Sequence, residues 1–142
     1  MNRLEELLQK NEYNLWDITT FFIATVLAIL LVFIYTNLDG GSRDTAYNIG
    51  FLSWGLLSYA LIFGLNIYYI IEGRKLVYYH AMTIIFSLFI FASLVAIYAN
   101  LTTSSQDLSE NLAIIITSSL FFPISLGVNG YRIYGLNKIK KG

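Results

Sequence analysis

The sequence predicts an all-α integral membrane protein, a four-helix bundle built from two tandem helical hairpins. Three observations carry that expectation. Hydrophobic residues make up 56% of the 142 residues and charged ones only 13%, too apolar and too charge-poor for an ordinary soluble domain. Four runs, Ile18 to Leu38, Ala46 to Ile71, Val77 to Leu101 and Leu112 to Tyr134, each reach the roughly 20 apolar residues that a transmembrane helix needs. Finally, the chain lies over itself at a constant shift of 63 residues. LVFIYTNL from Leu31 falls on LVAIYANL from Leu94, and Gly64, Asn66, Tyr68 and Ile70 fall on Gly127, Asn129, Tyr131 and Ile133 in the same register.

Residues 17–75 laid on 80–138 give 59 gapless positions, of which 16 are identical. Apolar identities are cheap between membrane helices, so the weight rests on the polar and aromatic matches, among them Thr20/Thr83, Asn37/Asn100, Asn48/Asn111 and Asn66/Asn129. Each copy holds two spans. Both therefore enter the bilayer in the same orientation, and the implied pseudo-two-fold axis runs along the membrane normal. Helices are the expected spanning form because an unpaired backbone group in hydrocarbon costs several kcal/mol and these runs far exceed a barrel strand.

Along the chain, residues 1–16 place Leu4, Leu7, Leu8 and Leu15 at helical spacing among Arg3, Glu5, Glu6, Lys10 and Glu12, an amphipathic cytoplasmic helix or tail. Repeat 1 (17–75) contains a Gly-rich outer turn at 39–44, and its counterpart at 102–107 lies in repeat 2 (80–138). Asp44 and Asp107 are expected to cap the helices that follow. Residues 72–75 form the inner hairpin turn, and 139–142 a basic C-terminal tail. Seams between helices are expected at the small residues Thr20, Ala24 and Ala28 and at Ala60 and Gly64. Pro123 removes a backbone hydrogen bond in the fourth span, with Ser118 and Ser119 placed to satisfy the freed group.

Lys and Arg set the orientation. Arg3, Lys10, Arg74, Lys75, Arg132, Lys138, Lys140 and Lys141 fall on one side against Arg43 on the other, which puts both termini in the cytoplasm, in the cell membrane by expectation. A formal net charge of zero carries no nucleic-acid footprint. The chain has no cysteine, which excludes disulfides, thiolate metal sites and cysteine nucleophiles. One histidine excludes bis-imidazole haem ligation, and no metal-ligand cluster, phosphate loop or nucleophile–base pair is present in the sequence. No cofactor and no catalytic set are expected.

Polar side chains inside apolar spans are expensive and mark a candidate site. Asp17, Asn66, His80, Asn129 and Arg132 all fall toward the cytoplasmic side, with Glu72 close by. The repeat shows where the copies diverge: Asp17 aligns with His80, Tyr69 with Arg132, and Glu72 with Gly135. An acid opposite a histidine can relay protons, and Glu72 or Asp17 can neutralise Arg132. Asn66 and Asn129, on parallel helices at one depth, are expected near the axis. These six residues form a candidate polar vestibule open to the cytoplasm. Tyr68, Tyr69, Tyr78, Tyr79, Tyr131, Tyr134 and Trp16 read as the interfacial aromatic belt. The expected function is that of a non-enzymatic accessory or self-assembling subunit, held in the lipid bilayer and bound to a membrane protein partner or to itself. The alternative is a small-solute or ion transporter or channel; an enzyme acting on lipid comes third and requires a lipid-sized cleft at Asp17, His80 and Arg132.

Overall fold

A computed structural model of the chain describes residues 15–37, 46–72, 77–99 and 108–141. Four helices fill them: α1 (Leu15–Thr36), α2 (Ala46–Glu72), α3 (Val77–Ala99) and α4 (Leu108–Lys141). Each is long and apolar enough to cross a membrane. Residues 1–14, 38–45, 73–76 and 100–107, and Gly142 lie outside the described residues. With them lie the expected amphipathic helix, the Asp44 and Asp107 caps and the inner turn.

The helices are apolar on most faces, so burial is decided by position in the bundle rather than by a narrow stripe. α1 packs against all three other helices, as does α3, so these two form the short diagonal of a rhombus with α2 and α4 at its far corners. Burial follows that geometry: 39% of α1 and 33% of α3 is enclosed, against 22% of each outer helix. Ile23, Ala24, Leu27, Leu31 and Ile34 of α1 interlock with Ile90, Leu94 and Ile97 of α3, and Ile62 and Ile114 close the core from α2 and α4. Gly55 brings α2 close: a Cβ there would overlap Cδ2 of Leu31 and lie 3.3 Å from Cβ of Ser93.

One expected seam is buried and the other is not. Thr20, Ala24 and Ala28 are enclosed against neighbouring helices. Ala60 and Gly64 face outward, and nothing lies within 4 Å of a Cβ built on Gly64. Small side chains permit close approach, but the rotation of α2 decides whether a helix of the same chain uses it.

Helix ends differ from the hydropathy limits. α1 starts at Leu15, inside the segment expected as the N-terminal tail, and ends when the amide of Asn37 is shared between the carbonyls of Phe33 and Ile34, both at 3.2 Å. α4 runs 34 residues as one helix that includes Pro123 and extends into the segment expected as a basic tail. At about 1.5 Å per residue it is about 51 Å long, well beyond the roughly 30 Å of hydrocarbon. The Ser118 hydroxyl donates to the carbonyl of Ile115 at 3.0 Å, so it does not serve the Ser119 carbonyl freed by Pro123.

Candidate functional site

The bundle has a proximal end, where α1 and α3 begin and α2 and α4 finish, and a distal end opposite. All four helices send polar side chains to the proximal end of the core. Asp17 sits in the first turn of α1 and is 4% exposed; Arg132, three-quarters of the way along α4, is fully buried. Their side chains pair, with Arg132 Nε 3.4 Å from Asp17 Oδ1. From α2, the Tyr69 hydroxyl donates to Asp17 Oδ2 at 3.3 Å. One carboxylate thus takes a cation on one oxygen and a phenol on the other. A buried ion of this kind persists only when neutralised and hydrogen-bonded, because desolvation costs several kcal/mol per ion.

On the other side of the same cluster, His80 in the first turn of α3 meets Asn129 of α4, Nδ1 to Oδ1 at 3.3 Å. The Asn129 amide nitrogen is committed to its own helix, donating to the Ser125 carbonyl at 2.9 Å and to the Ser125 hydroxyl at 3.3 Å. Asn66 behaves alike on α2, donating to the Ile62 carbonyl at 2.9 Å. Two threonines complete the lining: Thr20 donates to the Asp17 carbonyl at 3.0 Å and Thr83 to the Tyr79 carbonyl at 2.8 Å. Back-bonding of this kind satisfies a hydroxyl within its own turn and leaves its oxygen able to accept a further hydrogen bond.

Asp17, Asn66, His80 and Asn129, singled out by the sequence, therefore line one cavity, and Arg132 is paired at its edge. Arg132 pairs with Asp17; α2 ends at Glu72, whose side chain lies outside the described residues. The cavity measures about 20 Å³, room for one water molecule. It is far smaller than the vestibule the sequence leads one to expect, and it does not admit a lipid headgroup. Among the described residues no group of three or more His, Cys, Asp or Glu side chains converges as a metal site.

Two members of the site are misread by the sequence. Tyr69 and Tyr79 belong by position to the aromatic belt, yet they are 4% and 6% exposed and both line the cavity, whereas Tyr68, Tyr78 and Tyr134 are half exposed or more. The signal for Tyr69 was its alignment with Arg132 at the 63-residue shift: both side chains are buried. For Thr20 and Thr83 it was their identity across the repeat.

A second, larger opening lies on the outside of the bundle. Between α2 and α3 a groove of about 470 Å³ is lined by Ala60, Leu61, Gly64, Leu65, Met82 and Phe86, with Tyr68, Tyr78 and Tyr79 at its proximal end. The outward-facing Ala60 and Gly64 create it. Comparison with known proteins finds no family model, no curated protein and no solved structure that matches this chain.

Proposed function

We propose that this chain is a non-enzymatic membrane subunit: two tandem hairpins inserted in the cell membrane with both termini in the cytoplasm, assembling with a membrane protein partner or with itself. Support for the tandem arrangement comes from burial. Enclosed positions recur at the 63-residue shift, with Asp17/His80, Thr20/Thr83, Leu27/Ile90, Leu31/Leu94 and Ile34/Ile97 in α1 and α3, and Asn48/Asn111, Gly55/Ser118 and Tyr69/Arg132 in α2 and α4. Equivalent residues face the core in both copies even where their chemistry has diverged. That recurrence supports two hairpins related by an axis between α1 and α3, along the membrane normal.

The observation that carries the functional reading is the contrast between the two openings. The polar side chains neutralise one another around space for a single water, while the outer face holds an apolar groove of about 470 Å³. Chemistry is turned inward and packing surface outward. Exposed Leu57, Leu61, Ile67, Ile70 and Ile71 on α2 and Leu112, Ile116, Leu120 and Ile124 on α4 suit lipid or a partner helix. Co-purification from native membranes under mild detergent tests it: a stoichiometric partner or a defined homo-oligomer is expected, dispersed by Gly64→Leu and Ala60→Leu. A monomer that captures nothing contradicts it.

One observation favours a second reading, a small-solute or ion transporter. A buried Asp–Arg pair gives no more stability than well-packed apolar residues of similar volume, and ionisable groups at membrane depth commonly mark transport pathways. Ion flux from vesicles holding the purified protein, abolished in the Asn66→Leu, Asn129→Leu double variant, would establish that reading over the first.

A further inference from the structure

The cavity between Asp17 and His80 has a chemistry of its own, independent of whether the chain assembles or transports. Its walls are unusually rich in acceptors. Thr20 and Thr83 have each spent their hydroxyl hydrogen on a backbone carbonyl, so toward the cavity they offer lone pairs. Asp17 is a carboxylate, an acceptor on both oxygens, each of which has lone-pair capacity beyond its contact with Arg132 or Tyr69. His80 follows from the network around Asn129: the amide nitrogen donates to Ser125, so the amide oxygen faces Nδ1, and Nδ1 must carry the hydrogen. In the neutral ring Nε2 is then an acceptor as well.

A small cavity surrounded by acceptors selects a small donor. At about 20 Å³ it exceeds the roughly 10–15 Å³ that one water requires, and its lining supplies more than the two to four polar partners that hold a buried water in place. Anions are disfavoured by the same lone pairs, and cavities that stay dry are lined by Leu, Ile and Phe instead. We propose that this is a single-water site, and that the water joins the carboxylate of the first repeat to the imidazole of the second. It completes an unbroken polar chain through the bundle, from Asn129 to His80, through the water to Asp17, and on to Arg132. The two residues it joins are repeat equivalents, so the joint sits where the hairpins meet. The water donates one O–H to the Asp17 carboxylate and the other to Nε2 of His80, so it joins two acceptors with no change in where any proton is bound.

The chain's single histidine makes the test clean, because ¹⁵N-histidine labels this ring alone. Solid-state NMR of the full chain in lipid bilayers at neutral pH should show one tautomer, protonated at Nδ1, with magnetisation passing from water to the ring. Thr83→Ile adds one methylene at the cavity wall, about the volume of the water, and should abolish the transfer while leaving the tautomer unchanged. A ring protonated at Nε2 in the native protein overturns the proposal, as does native protein without water contact or transfer that survives Thr83→Ile. Should that variant not fold, Thr20→Ile fills the cavity from α1. Infrared spectra of the native protein in H₂¹⁸O serve without any variant: an isotope-shifted internal water band is expected, and its absence overturns the assignment.

Discussion

At the distal end of the bundle two amides meet directly: Asn37 Nδ2 donates to Asn111 Oδ1 at 2.7 Å, tying the end of α1 to the start of α4, with the Glu110 carboxylate 3.4 Å away. At the proximal end an acid, a guanidinium, a phenol, an imidazole and an amide from four helices gather around a one-water cavity. At the 63-residue shift Asn37, Asn48 and Asn111 meet identical residues, whereas at the proximal end Asp17 meets His80 and Tyr69 meets Arg132, beside the identical pairs Thr20/Thr83 and Asn66/Asn129. Neutral amides can fasten helices without consequence for net charge. An acid buried in one helix obliges another helix to supply a base. The difference teaches that the distal end acts as a fastener and the proximal end as a matched set.

That comparison can be broken most forcefully at Arg132. Arg132→Leu leaves the Asp17 carboxylate buried without its cation, and about 3–5 kcal/mol of unfolding free energy should be lost. Unfolding by SDS titration in mixed micelles measures it; a cost below about 1 kcal/mol would mean that bulk solvent already screens the carboxylate. At the distal end, Asn111→Leu removes an amide fastener and no charge. The same titration should give a smaller loss, roughly 0.6–1.7 kcal/mol, the range found for interhelical hydrogen bonds in membranes. Equal losses at the two ends would erase the distinction. The smallest effect is expected between them. The Ser87 hydroxyl is buried in α3 without a hydrogen-bond partner among the described residues, and its repeat equivalent is Ala24. Ser87→Ala should change stability by no more than about 0.5 kcal/mol, in the stabilising direction, because an unsatisfied hydroxyl is removed.

How much of this was legible in the sequence follows from the same physics. The four helices were, because hydrocarbon tolerates no unpaired backbone and so demands long uninterrupted apolar runs. Asp17, His80, Asn129 and Arg132 were legible for the converse reason: a polar side chain within such a run must find partners. Tyr69 and Tyr79 were not. A tyrosine near a membrane surface satisfies its hydroxyl equally well in the headgroup layer or in the core, and only the rotation of α2 and α3 decides between them. Rotation also turned Ala60 and Gly64 outward, since an apolar helix in lipid has no hydrophobic stripe to fix its facing. The end of α4 outran its hydropathy limit because Asn137 and the lysines that follow end the apolar run without ending a helix.

The central claim is that the proximal charges exist for one another. It is tested most directly by the unfolding free energy of the Asp17→Leu, Arg132→Met double variant beside the two single variants. Each single change is expected to cost about 3–5 kcal/mol, and the double variant should return to within about 1 kcal/mol of the native protein or exceed it. A double variant whose loss equals the sum of the two singles would contradict the account, because Asp17 and Arg132 would then be acting on something other than each other.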